Sequence, residues 1–137
     1  MRVKLNPASF NDITGKILNA AIEVHRILGA GLLESTYLGP LQYELGARKM
    51  RYSTQRTLPV IYKGMTLDTV YRIDLIVEDT VVVEVKSVAA TLPVHQSQLL
   101  TYMRLAHVPV GLLINFNVPR LMDGVKRMLN PSAGRES

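Results

Sequence analysis

Three ionisable side chains stand inside runs of strand-forming residues: Asp74 in VYRIDLIV, and Glu84 and Lys86 in VVVEVK. Carrying charge into apolar strands is costly unless the charge is paired or binds a metal. Two carboxylates brought close together repel and raise each other's pKa, and a divalent cation between them removes that conflict. Such a cation polarises a phosphate oxygen, lowers the pKa of a bound water and stabilises a leaving oxygen. A lysine at the same point can orient or deprotonate the water, or neutralise charge developing at phosphorus. The set points to metal-assisted phosphodiester hydrolysis. The plainer alternative is a cross-strand ion pair joining Asp74 or Glu84 to Lys86 or Arg72. The second acid, the valine-rich setting and two further motifs favour the metal.

Strand geometry places a condition on this reading. Side chains alternate faces, so Glu84 and Lys86 share one face and Val83 and Val85 the other. Asp74, with Arg72 and Ile76, is expected opposite Ile73, Leu75 and Val77. A two-residue turn would put the two acids on opposite faces. A three-residue connection, Glu78-Asp79-Thr80, pairs Val77 with Val81 and Leu75 with Val83, and sets Asp74 across from Glu84. An odd loop or a bulge is therefore predicted here.

Two other groups carry chemistry at matching spacing. Glu34 falls in the first turn of a predicted helix, with Tyr37 three residues on and so on the same face. It serves either the helix dipole or a metal shell and its water. Gln98 and Tyr102 stand four apart on a later helix, off its leucine face, as an exposed polar edge or as contacts to phosphate. His25 fits a packed or hydrogen-bonded core position, His95 a helix cap or a site residue, and His107 a helix end.

The elements that must position these residues follow in order. Residues 1–10 read as an irregular arm, and Asn11 or Asp12 caps a helix through Ile13, Ile17, Ala20, Ala21, Val24 and Leu28. Gly29-Ala30-Gly31 ends it. A second helix begins near Leu32, with a kink or restart expected at Pro40. Strands follow at Leu58 to Tyr62, Val70 to Val77 and Val81 to Lys86, with a turn at Lys63-Gly64. A helix from about His95 to Ala106, a buried strand from Val110 to Asn115 and a last helix from Pro119 to about Leu129 complete the domain. One domain over residues 1–130 and a flexible tail over 131–137 are expected. The long connection between the third and fourth strands allows a parallel crossover, so the sheet should be mixed and flanked by helices.

The chain has 137 residues, of which 47% are hydrophobic, which excludes a disordered class and suffices for one core. There is no cysteine, so any metal must be held by oxygen or histidine, and carboxylates favour Mg²⁺ or Mn²⁺. No apolar run reaches the length of a membrane span, and MRVKLNPASF lacks the apolar centre of a signal peptide, so no membrane partner and a cytoplasmic protein are expected. A formal charge of +5 suits a nucleic-acid partner, with Arg48, Lys49, Arg51, Arg56, Arg120, Lys126 and Arg127 as a track for phosphates or an ordinary solvated face.

Taken together, these residues resemble the PD-(D/E)XK nuclease superfamily and, more closely, the small bacterial GxxExxY proteins placed within it. The motif stands here as Gly31-Leu32-Leu33-Glu34-Ser35-Thr36-Tyr37. The central pattern is Ile73-Asp74, nine residues, then Glu84-Val85-Lys86, with Ile73 where the superfamily name has proline. Gln98-Leu99-Leu100-Thr101-Tyr102 is similar to a QxxxY helix motif of the exonuclease branch, and the likeness runs from Ile13 to Leu129. The resemblance implies a restriction-endonuclease-like αβββαβ core. It implies Mg²⁺ or Mn²⁺ at Asp74 and Glu84 with help from the Val85 carbonyl, and Lys86 at the attacking water. Glu34 would complete the shell, and Gln98 and Tyr102 would line the site. The expected activity is a metal-dependent nuclease acting on DNA rather than RNA. The alternative is a catalytically silent module of the same fold, binding nucleic acid or a protein partner in a defence or repair system. A homodimer is compatible with cutting two strands.

Overall fold

Alternating apolar residues separated by turn formers fold into a meander, and the first hairpin is longer than the sequence suggests. The computed structural model describes residues 7–130. Strand β1 spans Tyr52–Tyr62, β2 Met65–Val77 and β3 Val81–Lys86. Lys63 and Gly64, both at positive φ, make the first turn, a geometry that opens a two-residue hairpin. Helix α3, Pro93–Ala106, carries the chain back so that β4, Val110–Asn115, lies parallel to β3. The sheet order is β1-β2-β3-β4-β5, antiparallel except for the β3–β4 pair. This is the mixed sheet flanked by helices that the residue pattern predicts.

Two apolar layers sandwich the sheet. Helices α1, Pro7–Leu28, and α2, Glu34–Ala47, cover one face through Ile17, Ala21, Val24, Leu41 and Leu45 against Leu75, Val83, Val85 and Leu112. Helix α3 covers the other through Leu99, Tyr102 and Met103 against Ile73, Ile76, Val82 and Leu113. The central strands β3 and β4 are almost wholly buried, which is why β4 is apolar from Val110 to Ile114 and β3 is apolar except at Glu84 and Lys86. Burying each such Val, Leu or Ile contributes about 1.5–3 kcal/mol, and this fixes the sheet's register.

Several boundaries differ from the sequence expectation. Helix α1 already includes Asn11 and Asp12, with Asp12 paired to Lys16 at 3.8 Å on its exposed side. Helix α2 runs through Pro40 without restarting. The partner that Pro40 cannot supply belongs to the carbonyl of Thr36, an exposed residue that water can reach. The last predicted helix is absent. Leu121–Gly124 forms a 3₁₀ turn, and Val125–Leu129 is a fifth strand, β5, antiparallel to β4. The open edge of β4 needs backbone partners, and that need outweighs the helical start at Pro119. Gly124 permits the tight return, since a Cβ there would run into the Asn115 carbonyl. Residues 1–6 of the expected arm and the tail 131–137 lie outside the described residues.

Candidate active site

The register of β2 and β3 decides the site. Val77 pairs with Val81, Ile76 with Val82 and Leu75 with Val83, as the three-residue connection requires. Glu78 and Asp79 both have positive φ, and Thr80 N–H donates to the Val77 carbonyl at 3.0 Å, closing a tight turn. Thr80 is then the extra residue that restores parity. The Glu78 carboxylate accepts the Arg51 N–H at 2.6 Å, which pins the turn to the start of β1.

Beyond Leu75 and Val83 the backbone ladder between β2 and β3 ends, and side chains take over. Asp74 N–H donates to Glu84 Oε1 at 3.2 Å, and Val85 N–H donates to Asp74 Oδ2 at 3.0 Å. Each carboxylate is therefore held by the other strand's backbone at the fork. The opening coincides with an irregularity in β1: Gln55 takes a left-handed φ of 54, and the Gln55–Asp74 pair drops out of the ladder. The face pattern of β2 changes there. Ile73 packs in the α3 layer with Ile76, whereas Leu75 packs in the α1/α2 layer. This corrects the expected grouping of Ile73 with Leu75, since strict alternation does not survive the irregularity.

Glu84 is only 7% exposed, and its carboxyl is pushed up to about 8, first by burial and then by Asp74, with Lys86 acting in the opposite sense. Among the described residues, neither Asp74 nor Glu84 closes an ion pair with Lys86 or Arg72. The cross-strand ion pair is thus not what these acids make. A buried acid raised by a neighbouring acid is a donor pair suited to a hard divalent cation. No group of three or more His, Asp or Glu side chains forms a closed metal cage among the described residues. A cation here would draw on two carboxylates, backbone and water.

Glu34 comes to the same end of the sheet. Its carboxyl is raised by burial, lowered by Lys86, raised by Asp74 and lowered by His95. Its position follows from Tyr37, which is fully buried, stacked on Phe116 at 4.4 Å, and donates to the Gly29 carbonyl at 2.7 Å. The same phenol accepts the Leu32 N–H at 3.1 Å, and Ser87 Oγ, just past β3, donates to the Leu32 carbonyl at 2.5 Å. Tyr37 is a builder of the loop before α2 rather than a site residue, and it brings Glu34 to the end of β3.

Tyr102 lies in the apolar layer of α3 with Leu99 and Met103, not off it as the spacing suggests. Its phenol is raised by burial, then by Glu84, Asp74 and Tyr71, so it borders the acids. Gln98, one turn earlier, is exposed. His95 Nδ1 accepts the Leu92 N–H at 2.9 Å, capping α3, and the residue also borders Glu34. His25 Nε2 meets the Val118 carbonyl at 2.8 Å beside Phe116, and His107 ends α3 in a left-handed conformation.

Sequence reasoning missed three contributors. Tyr71 stands 6.0 Å from the Tyr102 ring. Buried Asn115 bonds both the N–H and the carbonyl of Val88, fixing the chain that leaves β3. Ser87 ties that chain to the loop before α2. Only Tyr71 left a trace in sequence, as an aromatic residue three positions before Asp74 in the same strand. Two concave regions lie elsewhere: about 220 Å³ beside Arg51, Tyr52 and Glu78, and about 370 Å³ beside Ile22, His25 and Arg120. Neither region is lined by Asp74 or Glu84.

The sequence profile described as the PD-(D/E)XK nuclease superfamily matches residues 11–128. The chain belongs to that superfamily, and the mixed sheet with its flanking helices has the restriction-endonuclease-like arrangement. No curated protein and no solved structure matches the chain. Membership implies nuclease chemistry with a divalent metal on a nucleic-acid substrate. Among the described residues no helix is long and apolar enough to cross a membrane.

Proposed function

We propose that this protein is a metal-dependent nuclease that hydrolyses DNA phosphodiester bonds by attack of an activated water, with Mg²⁺ or Mn²⁺ held by Asp74, Glu84 and the Val85 carbonyl. The observation that carries the reading is the pair of acids at the β2–β3 fork, adjacent, partly or wholly buried and not neutralised by an ion pair. When bound, the cation supplies Lewis acidity toward phosphate and a water of lowered pKa. The chain supplies the rest. Val85 N–H holds Asp74 in one orientation. Lys86, two residues from Glu84 on the same face, places positive charge beside the attacked phosphate and orients the water. Glu34, entering from α2, acts as the outer carboxylate that accepts a hydrogen bond or proton from that water. Gln98 and Tyr102 face the substrate from α3.

We also infer that the chain falls with the GxxExxY proteins inside the superfamily. Each named residue has a role consistent with that reading: Gly31 has a φ of 94, Glu34 borders the acids, and Tyr37 ties the loop between them.

Purified protein incubated with linear, circular and branched DNA and with RNA, in Mg²⁺, Mn²⁺ or EDTA, tests the activity. Cleavage is expected with metal and not with EDTA, and Asp74→Ala or Lys86→Ala should lower its rate by at least about a hundredfold with folding intact. Absence of metal-stimulated cleavage on every substrate would replace this reading with the silent binding module.

A further inference from the structure

We propose that the site takes an unpaired DNA strand rather than intact duplex, with Tyr71 as the residue on which a base flanking the cleaved bond stacks. The inference rests on the nuclease reading and names the form of substrate that the fork admits. Tyr71 stands on β2 three residues before Asp74, about 10 Å along the strand. Its ladder partner Leu58 is buried with Tyr102 in the α3 layer, so Tyr71 shares their face of the sheet. Glu84 lies on that face too, since Val82 packs in the α3 layer and alternation carries Glu84 and Lys86 with it. The rings of Tyr71 and Tyr102 meet at 6.0 Å with a tilt of 52°, and Tyr102 in turn borders Glu84 and Asp74. Tyr102 is 8% exposed and Tyr71 38%. The inner ring backs the outer one, which keeps surface open to solvent beside the acids. A ring propped in this way gives up little rotamer freedom when a base lands on it.

The border of the fork lacks the groups that hold a duplex. Duplex DNA is gripped chiefly by Lys and Arg on its phosphates. From Ser87 to Met103, through the loop after β3 and most of α3, the chain has no Lys, Arg, Asp or Glu, and none occurs from Ile27 to Leu33. These two segments meet at the site. Ser87 Oγ donates to the Leu32 carbonyl at 2.5 Å, Glu34 borders His95, and the His95 ring accepts the Leu92 N–H at 2.9 Å. What the segments present is aliphatic, with Leu33, Leu92 and Val94 each more than half exposed. Such carbon surface gains from the faces of unstacked bases and nothing from phosphate.

Continuity with the acids selects the occupant. The substrate class of the superfamily is nucleic acid, and the uncharged rim runs without a break into the residues that would cut it. The basic residues of β2 and β3 are Arg72 and Lys86, which suit the backbone of one strand. A single strand therefore offers phosphate to these two and bases to Tyr71 and the rim, whereas a duplex keeps its bases stacked out of reach.

Fluorescence anisotropy in EDTA at low salt, with a single-stranded oligonucleotide and its duplex, reads binding without cleavage. The single strand should bind about tenfold more tightly than the duplex, and a 2-aminopurine base within it should be quenched on binding. Both readouts use the wild type alone. Tyr71→Ala should weaken single-strand binding about tenfold and abolish the quench, with duplex binding unchanged, and Tyr71→Phe should restore both. Leu33→Ser with Leu92→Ser should weaken the single strand as well. Duplex bound as tightly as the single strand overturns the inference, and so does binding of neither. Equal losses from Tyr71→Phe and Tyr71→Ala overturn it too, because a hydroxyl contact would then replace stacking. Single-strand binding indifferent to the serine pair would hand the rim to a protein partner and overturn it likewise. A protein that binds single strands in this way yet cleaves nothing sinks the nuclease reading alone. A nuclease that prefers duplex sinks this inference alone.

Discussion

At the scale of single residues, Glu84 is a buried carboxyl that the fold has to accommodate. A carboxylate buried among valines beside Asp74 is easier to protonate than in the unfolded chain, and its pKa rises from 4.5 to about 8. The native state then binds more protons than the unfolded state between those values, so stability falls as pH climbs through that window and the contribution is gone above it. A shift of this size is worth on the order of a few kcal/mol. Glu84→Gln keeps an oxygen to accept the Asp74 N–H and cannot ionise. Thermal melts from about pH 5 to about pH 8.5 should show the wild-type Tm falling relative to Glu84→Gln. Adding Mn²⁺ or Mg²⁺ should recover the wild type at the alkaline end and leave the variant unmoved. Superimposed profiles with no response to metal would mean that Glu84 is neither raised nor a ligand.

At the scale of elements, α3 must lie close to β4 for Tyr102 to border the acids. Gly111 makes that approach possible. A Cβ there would stand 2.5 Å from Met103 Sδ and 2.9 Å from Leu99 Cγ. Gly111→Ala therefore forces α3 outward, at a cost of about 1–3 kcal/mol. A drop of several degrees in Tm by calorimetry is expected, with reduced cleavage by the folded protein. An unchanged Tm would show that Met103 and Leu99 yield without moving the helix. The β2–β3 turn works at the same scale. Thr80, one residue beyond a two-residue turn, puts Asp74 and Glu84 on one fork.

At the scale of the molecule, net charge overstates the surface available to phosphate. Arg48 pairs with Glu44 at 2.6 Å, Arg56 with Asp79 at 3.3 Å and Arg51 with Glu78 at 3.7 Å. Three of the seven basic residues grouped by the sequence as a phosphate track are thus already engaged. Replacing Arg51 and Arg56 together by Ala should change the slope of log affinity against log salt for duplex DNA by less than about 1, the worth of one phosphate contact. A change near two, measured by anisotropy across a salt series, would mean that both arginines leave their acids for the backbone.

The types and order of the site residues were legible in sequence because they are local. Asp74, Glu84 and Lys86 sit in short strands whose turn length is set by neighbours, and the parity argument gave the Val77–Val81 and Leu75–Val83 pairs, though the Asp74–Glu84 pair expected next is replaced by side-chain-to-backbone bonds. The GxxExxY and QxxxY spacings located Glu34 and Tyr102, though not their surroundings. Contacts between distant segments were not legible. Whether Val125–Leu129 coils or pairs depends on the open edge of β4, and whether Ile73 follows Leu75 depends on Gln55 across the ladder. The burial of Tyr37 against Phe116 likewise needs two segments far apart in the chain. Sequence alone determined which candidate site groups this protein carries and in what order, since period and spacing are properties of neighbours. Tertiary structure decided how they converge, because backbone pairing and packing satisfy groups that no local pattern encodes.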